Sequence, residues 1–476
     1  MGRDACATQQ GRLFARKCCP HSAVREQLSM SETPDPNASL TEGQRANAVA
    51  AAAASDVGSG SADTRAASCE MVRIGVFFDG TNNFRNRASD PNRSWHSNPD
   101  LLEEIYEETN GAAVWAEVQG VQRLVHFRKE YTRGIGVKRD GSSSWFGPGF
   151  GTGTEGVDAR VNQAVDRVRS NIRSQMAGKR PCDIWIDTFG FSRGATAARD
   201  FANQIRDGDL DSAGHTYRQT QRGRRIASRG PTPEVKFMGL FDTVSSTGWG
   251  GETDGTWWVD LTTPGRADYI YHITAEDELR QNFPLTRAAG GRNKPMVGVH
   301  GDIGGGYHPP RNSGRFEYEA RPYTGLTARL EQDWGVTVNG PAGPGGETLR
   351  SEIRTYYPPA MGMIPPPPID VTWHIFEWQA TQGLQFVALK LMHNKAVEKA
   401  VPFPETLPTS IAGKSVAMDA TLESYYGALQ SGADIDDSTK SMIRQTYSNF
   451  SSNNETVGGY SPFLPERDGR RRSETL

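Results

Sequence analysis

Cysteine, long apolar runs and an excess of either charge are all scarce in this sequence of 476 residues. The five cysteines are an odd number, and four of them lie within the first 69 residues, so a disulfide framework is not expected. No run of about 18 apolar residues occurs, and no transmembrane helix is predicted. The 53 basic residues nearly balance the 56 acidic ones, which excludes the basic surface of a nucleic-acid-binding protein.

The N-terminus lacks the short apolar core and small-residue cleavage site of a secretory signal peptide. We therefore expect synthesis in the cytoplasm and no export by that route. The sequence also has no His-Glu-x-x-His zinc pair and no Gly-Lys-Ser/Thr phosphate loop. Neither a metal nor another cofactor is predicted.

The apolar pattern divides the chain into three parts. Residues 1–70 mix Ala-, Ser- and Gly-rich stretches without apolar periodicity and predict a disordered tail. From residue 71 to about 460, short apolar runs alternate with helical patterns, which predicts an α/β domain whose mainly parallel sheet carries helices on both faces. Within it, residues 308–370 are rich in Gly and Pro and predict an irregular, lid-like insertion. Residues 461–476 are predicted to be a polar, irregular tail.

One strand-like run leads directly into a turn around a serine. Residues 183–189 are β-prone, the pentapeptide Gly-Phe-Ser-Arg-Gly follows at 190–194, and an Ala-rich helical pattern begins there. In a strand–turn–helix of this kind the turn is too tight for side chains two residues either side of the serine, so both positions favour glycine. The pattern predicts a nucleophile at Ser192, with its Oγ projecting at the carboxyl edge of the sheet.

A serine nucleophile needs a base and an acid, and in this strand–turn–helix setting they follow it in the order Ser, acid, His. Asp242 ends the apolar run 235–241, and His300 follows the shorter run 295–299. Because the carboxyl ends of parallel strands meet at one edge of a sheet, we expect both residues to converge on Ser192. His393 is the main rival for the base, but it lies within an apolar helical pattern.

The oxyanion of such a reaction needs backbone N–H donors. The amide of Arg193, directly after the nucleophile, is one candidate. The second would come from the loop after the first strand, where Gly80 and Thr81 follow the run 72–78. A purely structural turn remains an alternative for this loop.

Five segments stand out together, namely Phe78 to Asn83, Tyr131 to Gly136, Phe189 to Ala195, Gly239 to Val244 and Val299 to Tyr307. In this combination the sequence resembles the α/β-hydrolase domain of the first family of type VI secretion lipase effectors. The resemblance covers about residues 72–310 well and the helix near 384–400 more loosely. The resemblance implies that the catalytic triad of that family corresponds to Ser192, Asp242 and His300.

The resemblance implies a phospholipase of the A type, an antibacterial effector that reaches a rival cell by injection. It also implies a phospholipid substrate at a membrane surface, an immunity protein in the producing cell, and a secretion spike or carrier protein. Two other hypotheses for the function stay open. One is a carboxylesterase acting on a soluble ester, and the other is a non-catalytic binding protein that keeps the hydrolase fold.

Overall fold

The computed structural model describes residues 69–85, 96–138, 155–176, 181–206, 231–245, 259–306, 313–358, 367–380, 383–450, 464–471 and 473–475. The predicted disordered tail, apart from Cys69 and Glu70, lies outside these ranges. So does most of the link between the last helix and the C-terminal segment.

The strands among the described residues are β1 (Glu70–Phe78), β2 (Val114–Val118), β3 (Val121–Thr132), β4 (Ile184–Phe191), β5 (Glu234–Phe241), β6 (Tyr269–Ala275), β7 (Leu285–Arg287), β8 (Arg292–Met296), β9 (Ser313–Glu319), β10 (Thr348–Tyr356), β11 (Ile369–Gln379), β12 (Ser410–Ile411), β13 (Lys414–Ser415) and β14 (Ser473–Thr475). The helices there are α1 (Asn98–Ile105), α2 (Val157–Met176), α3 (Arg193–Arg206), α4 (His300–Gly304), α5 (Thr324–Trp334), α6 (Leu384–Glu398), α7 (Ala420–Ser431) and α8 (Asp437–Tyr447). None of these helices is both long enough and apolar enough to cross a membrane.

A seven-stranded sheet forms the centre of the fold, in the order β2-β3-β1-β4-β5-β6-β8. Every neighbouring pair is parallel except β2 and β3, which form an antiparallel hairpin at one edge. The predicted α/β class with a mainly parallel sheet is therefore confirmed. The central strands β1 and β4 are apolar and buried almost throughout, as expected for strands covered on both faces.

Successive side chains of the sheet enter two separate cores. Phe77, Phe189 and Phe237 pack beneath α1, α6 and α7 on one face. On the other face Ile74, Ile186 and their neighbours pack against α2 and α3. Full burial of one such side chain stabilises the fold by roughly 1.5–3 kcal/mol. The two layers fix the sheet and leave its carboxyl edge to carry the loops.

The region predicted to be irregular contains regular structure. Strands β9, β11 and β10 form a three-stranded antiparallel sheet, and α5 lies between β9 and β10 in sequence. Phe316, Tyr318, Trp334 and Phe376 build a third core there. The expectation of an irregular insertion at 308–370 is wrong for β9, α5 and β10, because most of the Gly and Pro residues lie in the connections, with Gly314 in β9 and Gly325 in α5 as exceptions.

Two further expectations need correction. The polar C-terminal tail is not irregular throughout, since β14 pairs in parallel with β7. The structure also joins Cys69 to Cys182 by a disulfide, with the two Cα atoms 5.7 Å apart. The odd cysteine count hid this bond, because the two partners precede neighbouring strands, β1 and β4, that are far apart in sequence.

Candidate active site

Ser192 lies in the sharp turn between β4 and α3, and its φ of 59° is in the left-handed region. The two glycines of the pentapeptide have no room for a side chain. A Cβ at position 190 would lie 2.7 Å from Cα of Ala195, and one at position 194 would lie 2.6 Å from the Phe78 carbonyl oxygen. Only glycine allows the strand, the turn and the end of β1 to pack this closely.

Backbone hydrogen bonds tie Ser192 to the end of β5. The Ser192 amide donates to the Phe241 carbonyl at 3.0 Å, and the Val244 amide donates to the Ser192 carbonyl at 3.3 Å. Asp242 lies between these two partners, with a φ of 42° that is also left-handed. The turn holding the serine and the turn holding the carboxylate are therefore fixed to each other by the main chain.

Asp242 and His300 form a short hydrogen bond between buried groups. Nδ1 of His300 lies 2.6 Å from Oδ2 of Asp242. A carboxylate can only accept here, so the imidazole donates from Nδ1 and keeps Nε2 as the acceptor. The Ala275 amide donates to the other oxygen, Oδ1, at 2.9 Å. This is the tautomer that a general base requires.

The charge state of the pair follows from its surroundings. Burial alone would raise the pKa of Asp242, but Arg471 and the hydrogen bond from His300 outweigh it and hold that pKa well below its usual range. Burial lowers the pKa of His300 below its usual value, although Asp242 acts in the opposite direction. Asp242 is therefore ionised and His300 neutral at pH 7.

Two aromatic rings enclose the imidazole. The Phe191 ring lies 4.6 Å from it between centroids, and the Phe283 ring meets it edge-on at 5.1 Å. Gly304 packs against the Phe191 ring, where any β-carbon would overlap it. The contact through Phe191, the neighbour of Ser192, brings His300 beside the turn after β4.

The strand that leads to His300 differs in its bounds from the predicted one. The run 295–299 was expected to be a strand ending at His300, whereas β8 is Arg292–Met296 and His300 opens the short helix α4. Asp302 explains the difference, because its side chain accepts from the Val299 amide at 2.9 Å and turns the chain into α4. The imidazole still lies beyond the carboxyl end of a parallel strand.

The loop after β1 lies against the same turn. The Gly80 amide already donates to Oδ1 of Asp79 at 2.7 Å, which commits that donor. The Thr81 amide has no acceptor within the part of the chain that the structure describes. Nη1 of Arg193 donates to Oγ1 of Thr81 at 3.3 Å and joins this loop to the start of α3. Of the predicted loop donors, the geometry favours the Thr81 amide over that of Gly80.

Further charged side chains surround Asp242 and His300, and the sequence did not predict them. Arg471 binds both oxygens of Asp242, at 2.7 and 2.8 Å. Glu278 accepts from the His300 amide at 3.2 Å and pairs with Arg280 at 2.9 Å. Burial raises the pKa of Glu278, but Arg280 more than offsets it and lowers that pKa to about 2. No local motif marks these residues.

Two other described histidines that follow the acid in sequence have different partners. His393 is buried in α6, where its Nδ1 bonds Asn394 at 2.9 Å and its ring packs against Phe403. His272 in β6 accepts from the Thr243 amide at 3.1 Å, and burial lowers its pKa to about 3. Among the described residues, His300 is the histidine bonded to Asp242. No group of three or more metal-ligating side chains occurs in those same ranges.

Comparison with known proteins supports the resemblance seen in the motifs. The family described as "T6SS, Phospholipase effector Tle1-like, catalytic domain" matches residues 202–321, a range that contains Asp242 and His300 and begins after Ser192. The predicted resemblance to type VI secretion lipase effectors is thereby confirmed. No curated protein matches the chain.

Solved structures are also similar to this chain. One, titled "Structure of the Tle1 effector bound to the VgrG spike from the Type 6 secretion system", has a TM-score of 0.59 at 20% identity and covers 86% of this chain and 94% of that chain. Another, an uncharacterised protein from Pseudomonas aeruginosa, has a TM-score of 0.41 at 18% identity, covering 79% and 53%. At 20% identity, the similarity to the Tle1 effector structure shows a shared fold alone.

Proposed function

We propose that this chain is a serine-dependent lipid ester hydrolase, a phospholipase A that acts as an antibacterial effector of a type VI secretion system. The hydrogen bond from His300 to Asp242, beside the glycine-flanked turn of Ser192, carries the proposal. The match to the phospholipase effector family supports a phospholipid as the substrate class. No geometry of the site favours a non-catalytic binding role.

In the proposed reaction, Nε2 of His300 takes the proton of the Ser192 hydroxyl as Oγ attacks the ester carbonyl. The carbonyl π electrons move onto its oxygen, which the amides of Arg193 and Thr81 receive. The intermediate collapses, the alcohol of the lysophospholipid leaves with the proton from His300, and an acyl-enzyme remains on Ser192. Water then attacks with His300 as base, and the fatty acid is released.

Asp242 stays ionised throughout and orients the imidazole. It also stabilises the imidazolium that forms in each half-reaction. The hydrophobic wall of Phe191 and Phe283 excludes water from the ring, which strengthens this charge interaction. The hydrogen bond between Ser192 Oγ and Nε2 of His300 is itself proposed. Catalytic contacts of this kind often tighten only when substrate binds.

The decisive experiment is product analysis on phospholipid vesicles with the wild type and Ser192→Ala. We expect fatty acid and lysophospholipid from the wild type and at least a roughly 10³-fold lower rate from the variant. Equal release by both proteins would contradict the proposed nucleophile. A short-chain soluble ester, measured in parallel, distinguishes the lipase from a carboxylesterase that ignores the lipid surface.

The proposal includes two protein partners. A secretion spike protein would deliver the chain, as the Tle1 effector of the similar structure is bound to a VgrG spike. An immunity protein would protect the producing cell. Co-purification of each candidate with Ser192→Ala, which avoids killing the expression host, tests both partners separately from catalysis.

A further inference from the structure

Arg471 contacts the acid of the proposed triad at both of its carboxylate oxygens, including the one that His300 bonds. Its Nη1 and Nη2 donate to Oδ1 and Oδ2 of Asp242 at 2.7 and 2.8 Å, and its Nε donates to the Phe283 carbonyl at 2.6 Å. Both the guanidinium and the carboxylate are buried. A planar guanidinium that binds two carboxylate oxygens fixes the plane of the carboxylate as well as its charge.

The segment around Arg471 is held along its length. The Glu466 amide donates to the Leu279 carbonyl at 2.7 Å, and the Gln281 amide donates to the Leu464 carbonyl at 2.9 Å. Beyond Arg471, β14 pairs with β7. Residues 279–287 therefore bind the C-terminal segment on both sides of Arg471. These contacts position the Arg471 side chain.

We propose that Arg471 is a positioning residue, which docks with the C-terminal segment, holds both oxygens of Asp242 and turns Oδ2 towards His300. The inference rests on the proposed function. It adds to the triad a fourth side chain, 229 residues away from the acid in sequence. The bonds of Arg471 go to Asp242 and to the Phe283 carbonyl, so it acts through Asp242.

Removing the guanidinium has a defined electrostatic consequence. Without it the negative charge of Asp242 is less compensated, so it stabilises the imidazolium of His300 more strongly and raises the pKa of His300. The base must be neutral to act, and the acid limb of kcat/KM therefore moves to higher pH. Other charged or titratable groups around the pair stay in place in the variants, namely Arg193, His272, Glu278, Arg280 and Asp302.

Two substitutions separate orientation from charge. Arg471→Met removes both, and we expect kcat to fall roughly 10- to 100-fold, as for other outer partners of site residues, with the acid limb shifted upwards by roughly one pH unit. Arg471→Lys keeps the charge but not the two parallel hydrogen bonds to Asp242. We therefore expect kcat to fall while the acid limb of the kcat/KM pH profile stays near its wild-type pH. Arg470→Met is the matched control, because this exposed neighbour should change neither value.

A measurement without turnover keeps the inference apart from the proposed function. The imidazole of His300 is titrated by NMR in Ser192→Ala and in Ser192→Ala with Arg471→Met, and its signal is assigned by its loss in His300→Gln. A higher pKa in the second protein supports the inference, and equal values overturn it. Wild-type kcat in folded Arg471→Lys overturns the positioning role, whereas full activity of Ser192→Ala overturns the hydrolase mechanism itself.

Discussion

Gly194 has no Cβ, and this lets the turn that holds Ser192 pack closely against the end of β1. The Cβ of an alanine there would press against the backbone carbonyls of Phe78 and Asp79. Backbone atoms of a central strand cannot rotate away as a flexible side chain can, so the turn must move instead. Such a move displaces both Ser192 and the amide of Arg193.

We therefore expect Gly194→Ala to lower kcat at least roughly 100-fold, since an error of about 1 Å in the position of a reacting group costs that much. Activity on vesicles and the midpoint of thermal unfolding are the measurements. Gly427→Ala in α7 is the matched control, because no atom lies within 4 Å of its added Cβ. Replacing a helical glycine should preserve activity and stabilise the fold by roughly 0.5–1 kcal/mol. Full activity of Gly194→Ala would show that the turn tolerates the displacement.

The sequence predicts residues of the site where a local pattern marks them. Ser192 follows a strand within a glycine-flanked turn, and Asp242 ends an apolar run, so each has a signal within a few residues of itself. Arg471 has none, because one arginine in a run of polar residues looks like any solvated side chain. Its partner is 229 residues away, and only the folded chain brings the two together.

At the scale of elements, the β10–β11 pair carries an exposed apolar end. Ile353, Tyr356, Tyr357 and Ile369 are 71%, 55%, 75% and 53% exposed. The sequence from Tyr356 to Ile369 contains no charged residue. Contiguous exposed apolar surface in a folded chain often marks an interaction site, and tyrosine suits the interface between water and lipid.

If this end of the sheet contacts the bilayer, Tyr356→Ser with Tyr357→Ser should weaken vesicle binding about tenfold, which corresponds to ~1.4 kcal/mol. Vesicle co-sedimentation measures the binding, and turnover of a soluble ester should not change. Trp115→Ser is the control, since this residue of β2 is 50% exposed but lies in a different sheet. Equal effects of both changes would argue against a specific contact at β10–β11.

The same sheet shows why elements can be missed in a sequence. In β9, Phe316 and Tyr318 are buried while Arg315, Glu317 and Glu319 point away from the core. This alternation is a strand pattern, but it spans only seven residues between Gly- and Pro-rich stretches. The central strands were predicted more readily because burial on both faces makes them continuously apolar.

For the whole molecule, the disulfide lies at the amino ends of β1 and β4, at the edge of the sheet opposite to Ser192. It closes a loop of 113 residues that includes the β2–β3 hairpin and α2. Closing a loop of this length restricts the unfolded chain and stabilises a fold by roughly 2–4 kcal/mol. Its position predicts an effect on stability rather than on catalysis.

Cys69→Ser with Cys182→Ser should therefore lower the unfolding midpoint by several degrees while kcat at 20 °C or so stays within about twofold of the wild type. Differential scanning calorimetry with and without reductant is the measurement. Reductant should lower the wild-type midpoint to that of the variant and leave the variant unchanged. Identical midpoints for all four samples would mean that the bond does not form or does not stabilise.

The contact between Asp242 and Arg471 also has a consequence in time. A ribosome adds about 5–20 residues per second, so the 229 residues that separate the two take roughly 11–46 s to synthesise. Once His300 has been added, 58 residues after Asp242, a nascent chain holds the proposed nucleophile, acid and base but not yet the guanidinium. A newly made hydrolase of this design would reach its full rate only after the C-terminal segment leaves the ribosomal exit tunnel.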